Sequence, residues 1–301
     1  MMRSYTPIPR TAKCMNVREK MNKYKERFGL ENAHFTLIEH DDAMVATVFK
    51  VDLENNQHLI LKICSKEDDY LRELYFLNYF QGKVPVPKVI KSDSPAILME
   101  YLPGTILKKE TLTSNLCHEI GTLLARIHLE GSPGYGDLTA PQSLSSDPRI
   151  PFRLKFEEEF EECRDHLPST LLTNLRKYYD RHIDLLLNTD GPCIIHRDFR
   201  PGNIIANLGK VEGIIDWSAA RGSFAEQDFY SLDDWSNKEA FLSGYASVRK
   251  VPDYERVMPL LKLAKAMGVI GFTVKRGTWE NKDSKIYRLS RNYLESKSFF
   301  C

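Results

Sequence analysis

His196-Arg197-Asp198-Phe199-Arg200-Pro201-Gly202-Asn203, with Asp216-Trp217 thirteen residues after the asparagine, is the stretch that decides how this chain is read. It supplies a carboxylate, an amide and a second carboxylate at the spacing a phosphoryl-transfer site needs. Such a site does little covalent work. It positions a nucleophile, screens phosphates and stabilises charge on the transferring group. Asp198 can take or orient a hydroxyl proton, while Asn203 and Asp216 can hold magnesium on a nucleotide. Ile204-Ile205-Ala206-Asn207 and Gly213-Ile214-Ile215 read as two short apolar strands around a turn at Leu208-Gly209-Lys210. That hairpin brings Asn203 and Asp216 side by side at one end. The expectation is an ATP-using kinase.

Taken singly, each residue has a plainer reading. Asp198 could cap a turn, Asn203 could follow Gly202 in one, and Asp216 could cap a strand end. Their joint spacing is what favours chemistry. His196 reads as a structural residue packed behind the loop, and Arg200 as either a γ-phosphate contact or a surface arginine. Far upstream, Lys62 sits in the apolar run Leu59-Ile60-Leu61-Lys62-Ile63, where a cation is costly without a partner. Glu73, on the helix that follows, is the candidate partner, and the pair would hold the α- and β-phosphates.

The chain has 301 residues, enough for two lobes and a substantial core. Its 42 Lys+Arg balance 41 Asp+Glu for a net charge of +1, which argues against a phosphate polymer as partner. The six cysteines (Cys14, Cys64, Cys117, Cys163, Cys193, Cys301) include no CxxC pair and read as free thiols in a reducing cytoplasm. Residues 1–25 lack the apolar segment of a signal peptide, and no run approaches the ~18 apolar residues of a membrane span.

Outward from the deciding stretch, the first third reads as a small β-rich unit. A helix over 17–30 carries Met21, Tyr24 and Phe28, and strands follow at 35–39, 44–51 and 58–64. A helix over 67–80 aligns Tyr70, Leu71, Leu74, Leu77 and Phe80. Two more strands lie at 88–91 and 96–101, closed by the breaker Pro103-Gly104. The rest is mostly helical, at 114–129, around Phe152/Phe156/Phe160, 170–188, 228–248, 254–275 and 284–298.

With these residues in hand, the chain resembles the aminoglycoside phosphotransferase/choline-kinase-like group of small-molecule kinases, from about residue 30 to 275. The matching residues are Lys62, Glu73, Leu98-Met99-Glu100-Tyr101-Leu102-Pro103-Gly104, Leu123-Leu124-Ala125-Arg126-Ile127-His128, His196 to Asn203 and Ile215-Asp216-Trp217. The resemblance implies a two-lobe, protein-kinase-like α+β fold, with an N-terminal nucleotide-binding lobe over 1–101 and a helical C-terminal lobe over 102–301. It implies magnesium, and ATP or GTP as donor. Adenine would be met by the Glu100 carbonyl and the Leu102 amide with Met99 behind the purine. Asp228 would brace the catalytic loop. Two departures stand out. The loop His40-Asp41-Asp42-Ala43-Met44-Val45-Ala46 has no glycine where the family has a glycine-containing turn, and Ser223-Phe224-Ala225 replaces the usual Gly-Asp-Pro.

Only eleven residues separate Asp216 from Asp228, which leaves no room for the activation segment of a protein kinase. About sixty residues, 130–190, precede the catalytic loop instead; in the family they build a small-molecule pocket. Glu157, Glu158, Glu159, Glu161 and Glu162 form an acidic run there, and Tyr230, Asp233, Asp234 and Trp235 are acceptor-binding candidates. An acidic surface would draw a cationic acceptor, an aminoglycoside first. The alternatives are a choline, ethanolamine or homoserine type of metabolite, and a nucleotide-binding pseudokinase module.

Overall fold

The computed structural model describes residues 19, 21–38, 46–275 and 285–296. A helix over 21–28 (α1) precedes strands His34–Leu37 (β1), Ala46–Asp52 (β2) and His58–Cys64 (β3). Helix Glu67–Phe80 (α2) then leads to Val89–Asp93 (β4) and Ala96–Glu100 (β5). These strands make one antiparallel sheet in the order β1-β2-β3-β5-β4. Lys62 lies on a central strand, opposite Val48 on one side and Ile97 on the other. The glycine-free segment 40–45 lies outside the described residues, as do Cys14 and Cys301.

The predicted α2 stripe is rotated in the structure. Leu71 is exposed, and the buried face is Tyr70, Glu73, Phe76, Leu77 and Phe80. Hydrophobic periodicity discards a glutamate from a buried stripe, yet Glu73 is there because Lys62 meets it. Phe76 and Phe80 pack on Trp217, with the Phe80 and Trp217 rings 4.6 Å apart. The main core therefore runs unbroken from α2, Ile97 and Met99 to Trp217 and the helices beyond.

After β5 the chain forms β6 (Thr105–Ile106), α3 (Ser114–Leu129), α4 (Arg149–Cys163) and α5 (Ser169–His182). Next come β7 (Cys193–Ile195), the hairpin β8 (Ile204–Asn207) and β9 (Lys210–Ile214), and β10 (Arg221–Ser223). The hairpin turns through Leu208 and Gly209, both at positive φ (48° and 79°), which matches the right-handed twist of the strands. β6 pairs with β8, and β10 with β7, both antiparallel. Gly104, at φ 118°, lies so close to β8 that a Cβ would fall 2.3 Å from the Ala206 carbonyl oxygen.

The helix expected over 228–248 is two elements, a 3-10 helix Ala225–Asp234 and α6 (Lys238–Ala246). Trp235 turns inward between them, and Asn237 caps α6 by accepting from the Ala240 amide at 2.9 Å. α7 (Tyr254–Lys275) and α8 (Lys285–Leu294) complete the described chain. By length and composition alone α7 is long and apolar enough to cross a bilayer, though Lys262 and Lys265 interrupt its apolar run. Its apolar side is spent on the protein: Val257, Leu260, Leu261, Leu263, Met267 and Ile270 join a second core with α4 and α5. α3 and α6 cross at Gly121 and Gly244, where added Cβ atoms would sit 2.0 and 1.9 Å from backbone carbonyl oxygens.

Candidate active site

Lys62 Nζ stands 2.8 Å from both Glu73 Oε2 and Asp216 Oδ1. Burial works against its charge, but Asp216 and Glu73 outweigh that and hold its pKa above the ordinary lysine value. The same lysine, against the cost of burial, drives the Asp216 carboxyl down to about 2. Ser218 Oγ also donates to Asp216 Oδ1, at 3.1 Å. Among the described residues both side-chain donors thus meet one oxygen, and Oδ2 is the atom that could face a metal. Asp216 has φ 65°, a left-handed conformation that turns its carboxylate out of the strand path toward the lysine.

The catalytic loop is built from β7 onward. Asp228, fully buried, accepts from the His196 amide at 2.8 Å and the Arg197 amide at 2.6 Å. His128 Nε2 lies 3.1 Å from the same carboxylate, and its Nδ1 is 2.9 Å from the Tyr245 hydroxyl. The bracing role inferred for Asp228 is thus visible as geometry. His196 bridges two loops: Nε2 meets the Ile215 carbonyl at 3.1 Å and Nδ1 accepts from the Asp198 amide at 3.3 Å. That pattern assigns a neutral Nε2–H imidazole, in keeping with burial that lowers its pKa.

Asp198 is held on both oxygens. Asn203 Nδ2 donates to Oδ2 and to the Asp198 carbonyl, each at 2.8 Å, and Arg200 Nε approaches Oδ2 at 3.2 Å. The Tyr230 hydroxyl donates to Oδ1 at 3.0 Å, and Lys265 Nζ donates to that hydroxyl at 3.1 Å. Burial alone would raise the Asp198 pKa, but the Lys265 and Arg200 charges and the Asn203 hydrogen bond prevail and lower it. The carboxylate is therefore ionised at neutral pH. Because the Asn203 nitrogen is spent on Asp198, its amide oxygen is the atom left for a cation. Among the described residues no three acidic, histidine or cysteine side chains cluster as a metal cage. One amide plus one carboxylate, completed by phosphate and water oxygens, fits magnesium and not a cage-bound metal.

At the interlobe linker, Met99 is buried on β5 and Glu100 closes the strand. Among the described residues the Leu102 amide has no protein acceptor, as an adenine-binding donor requires. The Leu102 side chain lies over Gly213, where a Cβ would fall 2.3 Å from its Cδ1.

The acceptor candidates differ in burial and in partners. Trp235 is buried against Phe241 and Phe199 and cannot line a pocket mouth. Asp233 is tied to Lys238 and Lys262, which drive it to about 2, and Asp234 is exposed on the same turn. The acidic run is not a bare surface either. Glu157 pairs with Arg176, Glu158 with Lys155 and Lys275, Glu161 with Arg164, and Glu162 with Lys275. Glu159 is buried, 3.7 Å from Lys155. Tyr230 hydrogen-bonds Asp198, and Asp234 feels the charges of Arg200 and Asp198. Sequence reasoning missed Lys265, a basic residue of α7 that reaches the Asp198 site through the Tyr230 hydroxyl. Its signal, a basic residue one helical turn from another on α7 (Lys262, Lys265), is too common to single out.

The family model of the "Phosphotransferase enzyme family" matches residues 38–260. A homoserine kinase of Gluconobacter oxydans (strain 621H) is 27% identical over 253 residues, covering 76% of this chain and 73% of that protein. A gentamicin–APH(2")-IIa complex superposes with TM-score 0.67 at 17% identity, covering 98% of each chain. A putative fructosamine-3-kinase from Thermobifida fusca YX-ER1 does so with TM-score 0.67 at 18% identity, over 88% of this chain and 96% of that one. The matched span includes the lysine, both carboxylates, the asparagine and the linker, and the fold neighbours share the kinase-like arrangement of sheet and helices. The chain belongs to the phosphotransferase enzyme family and is a small-molecule kinase.

Proposed function

We propose that the protein transfers the γ-phosphoryl group of ATP or GTP, with magnesium, to a hydroxyl of a small amine-bearing molecule. The observation that carries this reading is the convergence of Lys62, Asp216, Asn203 and Asp198, drawn from segments up to 154 residues apart, through direct or shared polar contacts. Lys62, steadied by Glu73, neutralises the α- and β-phosphates. Met99, Glu100 and Leu102 hold the base, within an N-terminal lobe over 1–101 set against a C-terminal lobe over 102–301. Asn203 and Asp216 would hold magnesium, which would supply positive charge to offset that developing on the phosphates. Asp198 orients the acceptor hydroxyl and takes its proton as the bond to phosphorus forms. Arg200, beside it, meets charge on the transferring group.

Two acceptor classes remain in view. A fold neighbour holds gentamicin, which suits an aminoglycoside-type acceptor. The homoserine kinase relative suits an amino-alcohol metabolite, and the pairing of the acidic run with this chain's own cations favours that second class. A nucleotide-using enzyme whose Cys64, Cys117, Cys163 and Cys193 are free and buried suits a reducing cytoplasm. The test is ATP and GTP consumption, with and without magnesium, against aminoglycosides, choline, ethanolamine, homoserine and sugars. Metal-independent nucleotide binding with no turnover of any acceptor would instead favour a pseudokinase module.

A further inference from the structure

Asp228 holds the catalytic loop by the His196 and Arg197 amides, and the chain of contacts behind it continues to the surface. His128 Nε2 meets Asp228 Oδ2 at 3.1 Å, and His128 Nδ1 lies 2.9 Å from the Tyr245 hydroxyl. Arg249, just past the end of α6, donates from Nη1 to that hydroxyl at 2.9 Å and from Nη2 to Asp190 Oδ1 at 2.8 Å. Asp190 is the half-exposed outer end, tied by its amide to Glu226 at 3.0 Å. Tyr245, His128 and Asp228 are buried.

The protons of this chain have one satisfactory arrangement. A guanidinium has no acceptor, so the Tyr245 oxygen receives from Arg249. Among the described residues His128 Nδ1 is the only other hydrogen-bond partner of that hydroxyl, so its single proton goes there. Nδ1 is then the bare nitrogen, and Nε2–H donates to Asp228. Every link has one donor and one acceptor. The opposite tautomer would set a bare Nε2 against a carboxylate. Either it or an imidazolium would leave the Tyr245 proton without an acceptor in a site closed to water.

We propose that Arg249 is a positioning residue for phosphoryl transfer, acting as the obligate donor that sets the tautomer of His128 from three hydrogen bonds behind Asp228. Without it the Tyr245 hydroxyl is released to accept from an Nδ1–H. A bare Nε2 then faces Asp228, and the carboxylate under His196-Arg197-Asp198 loses its only side-chain donor among the described residues. The backbone amides alone then fix its position. The effect on turnover rests on the phosphotransferase reading, whereas the tautomer and the hold on the loop do not.

The experiment compares the full wild-type chain with Arg249→Met, Arg249→Lys, Tyr245→Phe and the Arg249→Met/Tyr245→Phe double variant. Nitrogen-15 spectra of the histidine rings at pH 7 read the tautomer, with the His128 signals assigned by their loss in His128→Gln. Wild type is expected to show a protonated Nε2 and a bare Nδ1, and Arg249→Met to gain an Nδ1–H population. Hydrogen exchange at the His196 and Arg197 amides should quicken about tenfold in Arg249→Met, the worth of one hydrogen bond. With magnesium-ATP and L-homoserine or gentamicin, kcat should fall by a similar factor while nucleotide KM holds. Arg249→Lys keeps an obligate donor and should recover most of the loss. In the Tyr245→Phe background Arg249→Met should add nothing, because the route through the hydroxyl is already cut. A protonated Nδ1 in wild type, or an unmoved tautomer in Arg249→Met, overturns the proposal. Full additivity of the two substitutions in amide exchange does so too, by showing that Arg249 acts through its ion pair with Asp190 alone. A shifted tautomer and faster exchange with no turnover of either acceptor uphold the donor chain and count against phosphoryl transfer to them. Turnover whose kcat ignores Arg249→Met upholds phosphoryl transfer and removes the positioning role.

Discussion

The Tyr230 hydroxyl and Asp198 Oδ1 lie 3.0 Å apart, and Lys265 backs the same hydroxyl from α7 at 3.1 Å. Burial and the Asp198 charge hold the Tyr230 pKa well above its ordinary value, so the phenol stays a donor. It fixes the rotamer of the carboxylate without displacing its charge. Tyr230→Phe should lower kcat about tenfold, the worth of one hydrogen bond to a charged group, with nucleotide KM unchanged. Steady-state kinetics at saturating nucleotide would expose the idea as wrong if kcat held.

Asp198→Asn removes the proton acceptor while keeping the shape that Asn203 and Arg200 surround. The expected loss in kcat is about a thousandfold, with nucleotide affinity intact. Near wild-type turnover would refute the assignment.

Asp216→Ala should abolish the magnesium-dependent part of nucleotide affinity, since Oδ2 is the only carboxylate oxygen proposed for the metal. Fluorescent-nucleotide titration with and without magnesium measures it. Lys62→Ala should differ: metal dependence survives, but Asp216 loses the partner that holds it near 2 and titrates closer to the normal aspartate range.

Glu159 supplies a pH signature. Burial pushes its carboxyl up to about 7 from an ordinary 4.5. Between those values the folded protein keeps a proton that the unfolded chain releases, so stability falls as pH rises through that window and levels off above it. Glu159→Gln should remove the slope and gain on the order of 3 kcal/mol at pH 8 relative to wild type. Urea melts at pH 5 and pH 8 test this; parallel behaviour of the two proteins would rule it out.

Gly244→Ala should destabilise the fold by about 3 kcal/mol, because the new Cβ would lie 1.9 Å from the His118 carbonyl oxygen across the α3–α6 crossing. A thermal melt with Tm unchanged would show that the helices can separate at little cost.

Much of this architecture was legible because its signals are local. α2, β3 and α7 occupy the residues their periodicity assigned, and the β8–β9 hairpin announced itself through Leu208-Gly209. The phosphate half of the site was legible for another reason: Lys62 is conspicuous in an apolar strand, and Asp198, Asn203 and Asp216 share one short stretch. The acceptor half was not. Trp235 looked like a pocket residue because a tryptophan beside aspartates resembles a surface, and only tertiary packing on Phe241 turns it inward. The Glu157–Glu162 run looked like a free field because its partners, Arg176 and Lys275, lie on other helices. Lys265 approaches Asp198 only through the packing of α7, which no spacing encodes.

The seating of Phe76 and Phe80 on Trp217 has a regulatory consequence. Trp217 directly follows Asp216, so the helix that carries Glu73 is anchored to the loop that carries the proposed metal ligand. Swinging that helix away to part Glu73 from Lys62 would strip apolar ring area from the Phe76, Phe80 and Trp217 contact. An inactive state of that kind is expensive here. The enzyme is therefore expected to be constitutive, its output set by the supply of donor and acceptor and not by a switch in its own scaffold.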